Sequence, residues 1–90
     1  MTTSTTIEVC NQRGLHARAS ARFAEAAATF ESAVTVSHAG RSADATSLMD
    51  LLMLGAAKGT QIVIEASGPD EAQALAVLKA LAEGGFGEGC

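Results

Sequence analysis

Alanine supplies nineteen of the 43 apolar residues in this 90-residue chain, so only 24 side chains are large enough to fill an interior. A chain of this length buries roughly two-thirds of its unfolded surface at best. The consequence is one thin-cored domain spanning 1–90, with no room for a second domain or a large internal ligand cavity. No uncharged apolar run approaches the ~20 residues that cross a bilayer, which excludes a transmembrane helix. The segment Met1-Thr2-Thr3-Ser4-Thr5-Thr6 lacks the basic region and apolar core of a secretory signal. With 18% charged residues and a mean hydropathy of +0.23, the chain has the composition of a folding protein rather than a disordered one.

Ten acidic against six basic residues give a net charge of −4, which argues against a nucleic-acid partner. The absence of Trp and Tyr leaves little for base stacking. The charge is unevenly spread: residues 1–22 hold Arg13, Arg18 and Arg22 against Glu8 alone, whereas the remaining 68 carry three basic and nine acidic residues. The two cysteines, Cys10 and Cys90, form no metal-ligand spacing. Free thiols in a reducing cytosol are the plain expectation, with Cys90 mobile at the end of the chain.

Hydrophobic periodicity orders the elements as βαββαβα. Thr6 to Cys10 alternates as a half-buried strand, and Asn11-Gln12-Arg13-Gly14 turns the chain. Alanine-rich 17–30 favours helix, with Ala19, Phe23, Ala26, Ala27 and Phe30 on one face. Ala33 to Ser37 is a second strand, and His38-Ala39-Gly40 turns into a weak third strand near 41–45. Thr46 or Ser47 caps a short helix closed by Gly55, and Thr60 to Ser67 is a fourth strand. A last helix starts at Gly68-Pro69-Asp70-Glu71 and buries Ala74, Leu75, Leu78, Leu81 and Ala82. Gly84-Gly85 ends it, leaving 86–90 as a flexible tail. The expected architecture is α+β: a small, mostly antiparallel sheet with helices on one face.

His16 lies between a glycine turn and a helix start, in Gly14-Leu15-His16-Ala17-Arg18. The free N–H groups of a first helical turn, the helix dipole and the Arg18 charge together make an anion site containing a nucleophile. A neutral imidazole there can attack a phosphoryl group and leave the product dianion among donors. A lone histidine is more often simply solvated; the clustering of Gly14, His16 and Arg18 shifts the balance toward chemistry. His38 belongs to a solvent-facing hairpin and finds no further ligands at metal-binding spacing.

Gly14-Leu15-His16-Ala17-Arg18 resembles the active-site motif of the HPr family, the histidine phosphocarriers of the phosphoenolpyruvate-dependent phosphotransferase system. The likeness extends to Ser47-Leu48-Met49 with Leu51-Leu52-Met53-Leu54-Gly55, to Lys58-Gly59-Thr60-Gln61-Ile62 and to Gly68-Pro69-Asp70-Glu71-Ala72. The resemblance implies an open-faced β-sandwich, four antiparallel strands with three helices on one side. It implies that His16 accepts a phosphoryl group at Nδ1 from a phosphorylated Enzyme I and passes it to an Enzyme IIA-type histidine. It implies further that Arg18 stabilises the phosphoryl charge, and that Leu48, Leu51, Leu52 and Phe23 dock partners. No cofactor or metal is implied for the carrier, which is expected to be a cytoplasmic monomer that does not insert in membranes and is not a stand-alone enzyme.

Two departures stand out. Many family members have Pro after the arginine, where this chain has Ala19; alanine keeps the helix but loosens its start. Ser47 matches the serine that HPr kinase/phosphorylase phosphorylates in part of the family. Here Thr46 precedes it and Asp50 follows one turn on, where a carboxylate repels a phosphoserine. The stretches 51–54 and 82–88 look more like the nitrogen-related branch, whose acceptors are regulatory rather than sugar-transporting. The rival reading from another class is a small α+β module that binds an anionic metabolite non-covalently at the helix start near His16.

Overall fold

The computed structural model describes residues 2–90. Four strands and three helices follow in the order β1 (Thr2–Glu8), α1 (Ala17–Ala27), β2 (Ala33–His38), β3 (Arg41–Asp44), α2 (Leu48–Met53), β4 (Gln61–Ser67) and α3 (Glu71–Glu83). The strands form one sheet in the order β1-β4-β2-β3, and every neighbouring pair is antiparallel.

The alternation legible in the sequence sets the two sides of this sheet. Along β4, Ile62, Ile64 and Ala66 are buried while Gln61, Val63, Glu65 and Ser67 face outward. Val34 and Val36 of β2, Ile7 of β1 and Ala43 of β3 join the covered side. The helices bury Ala19, Ser20, Phe23, Ala24 and Ala27 from α1, Leu51 from α2, and Ala74, Leu78 and Ala82 from α3. Among the described residues, nine of the 21 buried apolar ones are alanines, so the few large ones carry the packing. Phe23 and Phe86 lead them, edge to face with ring centroids 6.0 Å apart.

Three element boundaries differ from the sequence pattern. Strand β1 starts at Thr2 rather than near Thr6, because the whole length of β4 offers it a ladder, from Thr2 opposite Ser67 to Glu8 opposite Gln61. Threonine suits a strand without alternating apolar residues to announce it. Helix α1 stops at Ala27 rather than Phe30: Thr29 Oγ1 donates to the Ala26 carbonyl, and Thr29 and Phe30 close with three-residue N–H bonds to Ala26 and Ala27. The buried face of α1 also rotates, taking Ser20 and Ala24 inside and leaving Ala26 and Phe30 half-buried. Ser20 is accommodated because its hydroxyl donates to the Leu15 carbonyl at 3.1 Å.

Residues 86–90 are not a flexible tail. Phe86 is fully buried, its N–H donates to the Leu81 carbonyl at 2.8 Å, and Glu88 and Gly89 bond back to Gly85 and Gly84. The segment coils because Gly85, Gly87 and Gly89 all take positive φ, and a Cβ on Gly85 would stand 2.4 Å from the Gly89 carbonyl oxygen. Phe86 itself adopts φ +56°, a conformation costly for a bulky residue and offset by burial of its ring. The cysteines depart from the free-thiol expectation as well. Cys10 and Cys90 are joined as a disulfide that ties the end of the chain to the residue after β1.

Candidate functional site

The loop between β1 and α1 is built to hold its own end still. Gly14 donates to Asn11 across the turn and takes φ +62°. Its α-carbon packs so close to the Ala56–Ala57 backbone that a Cβ would lie 2.2 Å from the Ala56 oxygen. The next N–H, from Leu15, donates to that same oxygen at 3.0 Å, and the Leu15 side chain is buried. Leu15 thus anchors the chain one residue before His16.

His16 is the N-cap of α1, with extended backbone and no capping bond from its side chain. Its carbonyl accepts the first helical bond, from Ser20 N–H at 2.9 Å. The N–H groups of Ala17, Arg18 and Ala19 precede that bond and have no helical acceptors. These are the donors that a helix start turns toward solvent, and Ala19 supplies one that proline could not. The His16 side chain is 20% exposed rather than free in solvent.

A neighbour invisible in the sequence accounts for that. The Glu88 carboxylate accepts from His16 Nε2 at 2.6 Å and, through its other oxygen, from Asn11 Nδ2 at 2.9 Å. Asn11 is fully buried and donates its second amide hydrogen to the Gly14 carbonyl, while its Oδ1 has no protein partner. The Asn11 bond is the largest influence and holds the Glu88 carboxyl below its ordinary range; burial opposes it, and the His16 bond and the neighbouring positive charge add lesser lowering effects. An ionised carboxylate only accepts, so Nε2 carries the proton of this bond, and in the neutral form of the ring the lone pair lies at Nδ1. Arg18 lines an open groove with Gln12, Arg13, Arg22, Gly87, Glu88 and Gly89. Three arginines therefore face the segment that carries Glu88, and Arg22 Nη1 also donates to the Phe86 carbonyl at 3.2 Å.

A sequence model of the family described as "PTS HPr component phosphorylation site" matches residues 3–84. The chain belongs to the HPr family. The HPr phosphocarrier protein of Neisseria meningitidis serogroup A is 48% identical over 83 residues, covering 92% of this chain and 93% of its own length. The NPr phosphocarrier protein of Escherichia coli K12 is 43% identical over 89 residues, covering 98% and 99%. Among solved structures, an HPr from Thermoanaerobacter tengcongensis superposes with a TM-score of 0.92 at 36% identity, covering 98% of this chain and 99% of that one.

The other residues singled out in this HPr-family chain fall into place unequally. Ser47 caps α2, its hydroxyl accepting from Asp50 N–H at 3.3 Å. Leu48 is 38% exposed and Leu52 half-buried, so both remain available to a partner. Leu51 and Phe23 do not: both are buried in the core, at 0% and 1% exposure, and cannot form a docking rim. Met49 and Met53 stand out instead at 65% and 67% exposure. The unbroken apolar run 48–54 hid which of its residues would face out. His38 is half-buried in β2, with Nδ1 at 3.1 Å from the Gln61 carbonyl.

The Glu88 contact is testable by titration. Its carboxyl pKa is lowered in the fold, so the stabilisation it contributes is fully present above the ordinary glutamate range and is lost as pH falls through the lowered value. Replacing Asn11 with Ala removes the largest cause, and the Glu88 pKa should rise toward the ordinary range when followed by carboxyl-carbon NMR. An unmoved midpoint would show that Asn11 does not hold this carboxylate.

Proposed function

We propose that this chain is a cytoplasmic, monomeric phosphoryl carrier that accepts its phosphoryl group on His16 Nδ1 from a phosphorylated Enzyme I-type protein and donates it to an Enzyme IIA-type histidine. The observation that carries the reading is the His16 ring itself. It stands at the start of α1, leaves its side chain out of helix capping and has its Nε2 proton held by Glu88, so that Nδ1 is the free nucleophile. The Nδ1 lone pair forms the new N–P bond as the donor's P–N bond breaks. The donor imidazole leaves with that electron pair, and Nε2 keeps its proton throughout. First-turn N–H groups and Arg18 supply the positive field in which the transferred dianion rests. On this reading the protein is a stoichiometric relay component rather than an enzyme, and transfer depends on a partner docking so that donor and acceptor nitrogens align.

The exposed apolar strip of Leu48, Met49, Leu52 and Met53 on α2 is the proposed docking surface, with the arginine groove steering acidic partners. The carrier serves sugar uptake or nitrogen-related regulation: relatives of both kinds match, the Neisseria meningitidis HPr at 48% and the Escherichia coli NPr at 43% identity. Ser47 is proposed as a regulatory phosphorylation site for an HPr kinase/phosphorylase, with Asp50 one turn away opposing the added charge.

Incubation with Enzyme I and labelled phosphoenolpyruvate should load an acid-labile label onto the chain. His16→Ala should abolish it, and Arg18→Ala should slow loading by about a hundredfold, the scale of losing one charge-stabilising donor. An unlabelled wild type beside an active control carrier, or a labelled His16→Ala, refutes the assignment and favours reversible anion binding instead. For Ser47, a phosphoserine mass shift with the kinase that disappears in Ser47→Ala is the expected result; no shift, or a shift that persists, excludes the site.

A further inference from the structure

The segment after α3 reaches the phosphoryl site by two routes. One is the Phe86 ring, buried against Phe23. The other is the disulfide between Cys90 and Cys10. Glu88 lies between these anchors, flanked by Gly87 and Gly89. Glycine has the most conformational freedom to lose on folding, so beyond the backbone bonds of Glu88 and Gly89 to Gly85 and Gly84, tying both ends of the arm narrows where its carboxylate can stand. Cys10 also directly precedes Asn11, the residue whose amide holds the second Glu88 oxygen. One covalent bond therefore links the chain end to the same turn that bonds Glu88 and presents His16.

We infer that the Cys10–Cys90 bond is a redox clasp on phosphoryl transfer: closed, it holds Glu88 as the positioning residue of His16; opened by a dithiol reductant, it lets Glu88 leave the ring. The inference rests on His16 being the phosphoryl acceptor. Opening is a two-electron exchange in which the reductant's two thiols become a disulfide and Cys10 and Cys90 become thiols. A disulfide oxidant reverses it. Both sulfurs lie near the Glu83 carbonyl oxygen, at 3.6 and 3.4 Å, which the freed thiols can use as an acceptor. In a reducing compartment a bond of this kind persists only transiently, which suits a signal better than a structural staple. With the arm released, His16 Nε2 loses its carboxylate, the ring is free to turn, and Nδ1 is no longer held toward an incoming phosphoryl group.

The test compares single-turnover phosphoryl transfer from phosphorylated Enzyme I to four forms of the full chain. These are oxidised wild type, wild type reduced, alkylated and freed of reductant, Cys90→Ser, and Glu88→Gln. The oxidised wild type should accept about tenfold faster than the other three, the lower end of what loss of a partner that orients a functional histidine costs. The double variant Glu88→Gln with Cys90→Ser should be no slower than Glu88→Gln alone, because both remove the same contact. Proton NMR should show a downfield, slowly exchanging His16 ring N–H in the oxidised wild type only. A disulfide that merely stabilised the fold would leave Glu88→Gln as fast as wild type and that resonance in place. Equal rates across the four forms, or two free thiols after treatment with oxidised glutathione, overturn the inference while leaving His16 as the acceptor. A wild type that takes no label in either redox state, or a His16→Ala variant that does, overturns the acceptor assignment and this inference with it.

Discussion

The close approach of Gly14 to the Ala56 carbonyl is the constraint on which the rest of the site depends. A left-handed glycine with no room for a Cβ turns the chain, and the Leu15 N–H then spends its bond on the same Ala56 oxygen. The loop after β1 is thereby tied to the segment between α2 and β4, and α1 can begin only at His16. Much of the proposed phosphoryl site follows from where that helix begins. The free N–H groups of its first turn, the N-cap position of His16 and the placement of Arg18 two residues on are all measured from it.

A core built with so many alanines tolerates this arrangement because the site asks little of the interior. The sheet buries one face beneath three helices, and two phenylalanines supply much of the bulk that alanine cannot. Phe86 comes from beyond the last helix, so the same residue that completes the core also sets the C-terminal arm beside the N-terminus of α1. Core completion and placement of the arm thus share one residue. The arm's carboxylate at His16 is a consequence of how the chain fills its thinnest region.

Much of this is legible in the sequence. Period-two alternation in β4 and the apolar stripe of α3 marked their buried faces, and the glycine, histidine and arginine of 14–18 marked a helix start suited to anions. What stayed hidden was hidden for physical reasons. Thr2–Thr6 has no apolar alternation, and its strand exists because β4 offers partners along its whole length. Residues 86–90 read as a tail because their glycines resemble a linker, whereas in the fold those glycines supply the positive φ values that coil the segment. Glu88 and Asn11 lie 77 residues apart in sequence, and no local pattern could pair them. Leu51 and Phe23 take a docking role only through the family resemblance, whereas the α1 stripe that groups Phe23 with Ala19 and Ala27 already agrees with its burial.

The central claim is that the phosphoryl group resides on His16 Nδ1 with the Nε2 proton retained. Phosphorus–nitrogen scalar coupling, measured on nitrogen-15-histidine-labelled protein after loading from Enzyme I, reads both at once. The account predicts a one-bond coupling to Nδ1 of His16 and a proton still attached to Nε2. Coupling to Nε2, or to either nitrogen of His38, would contradict it.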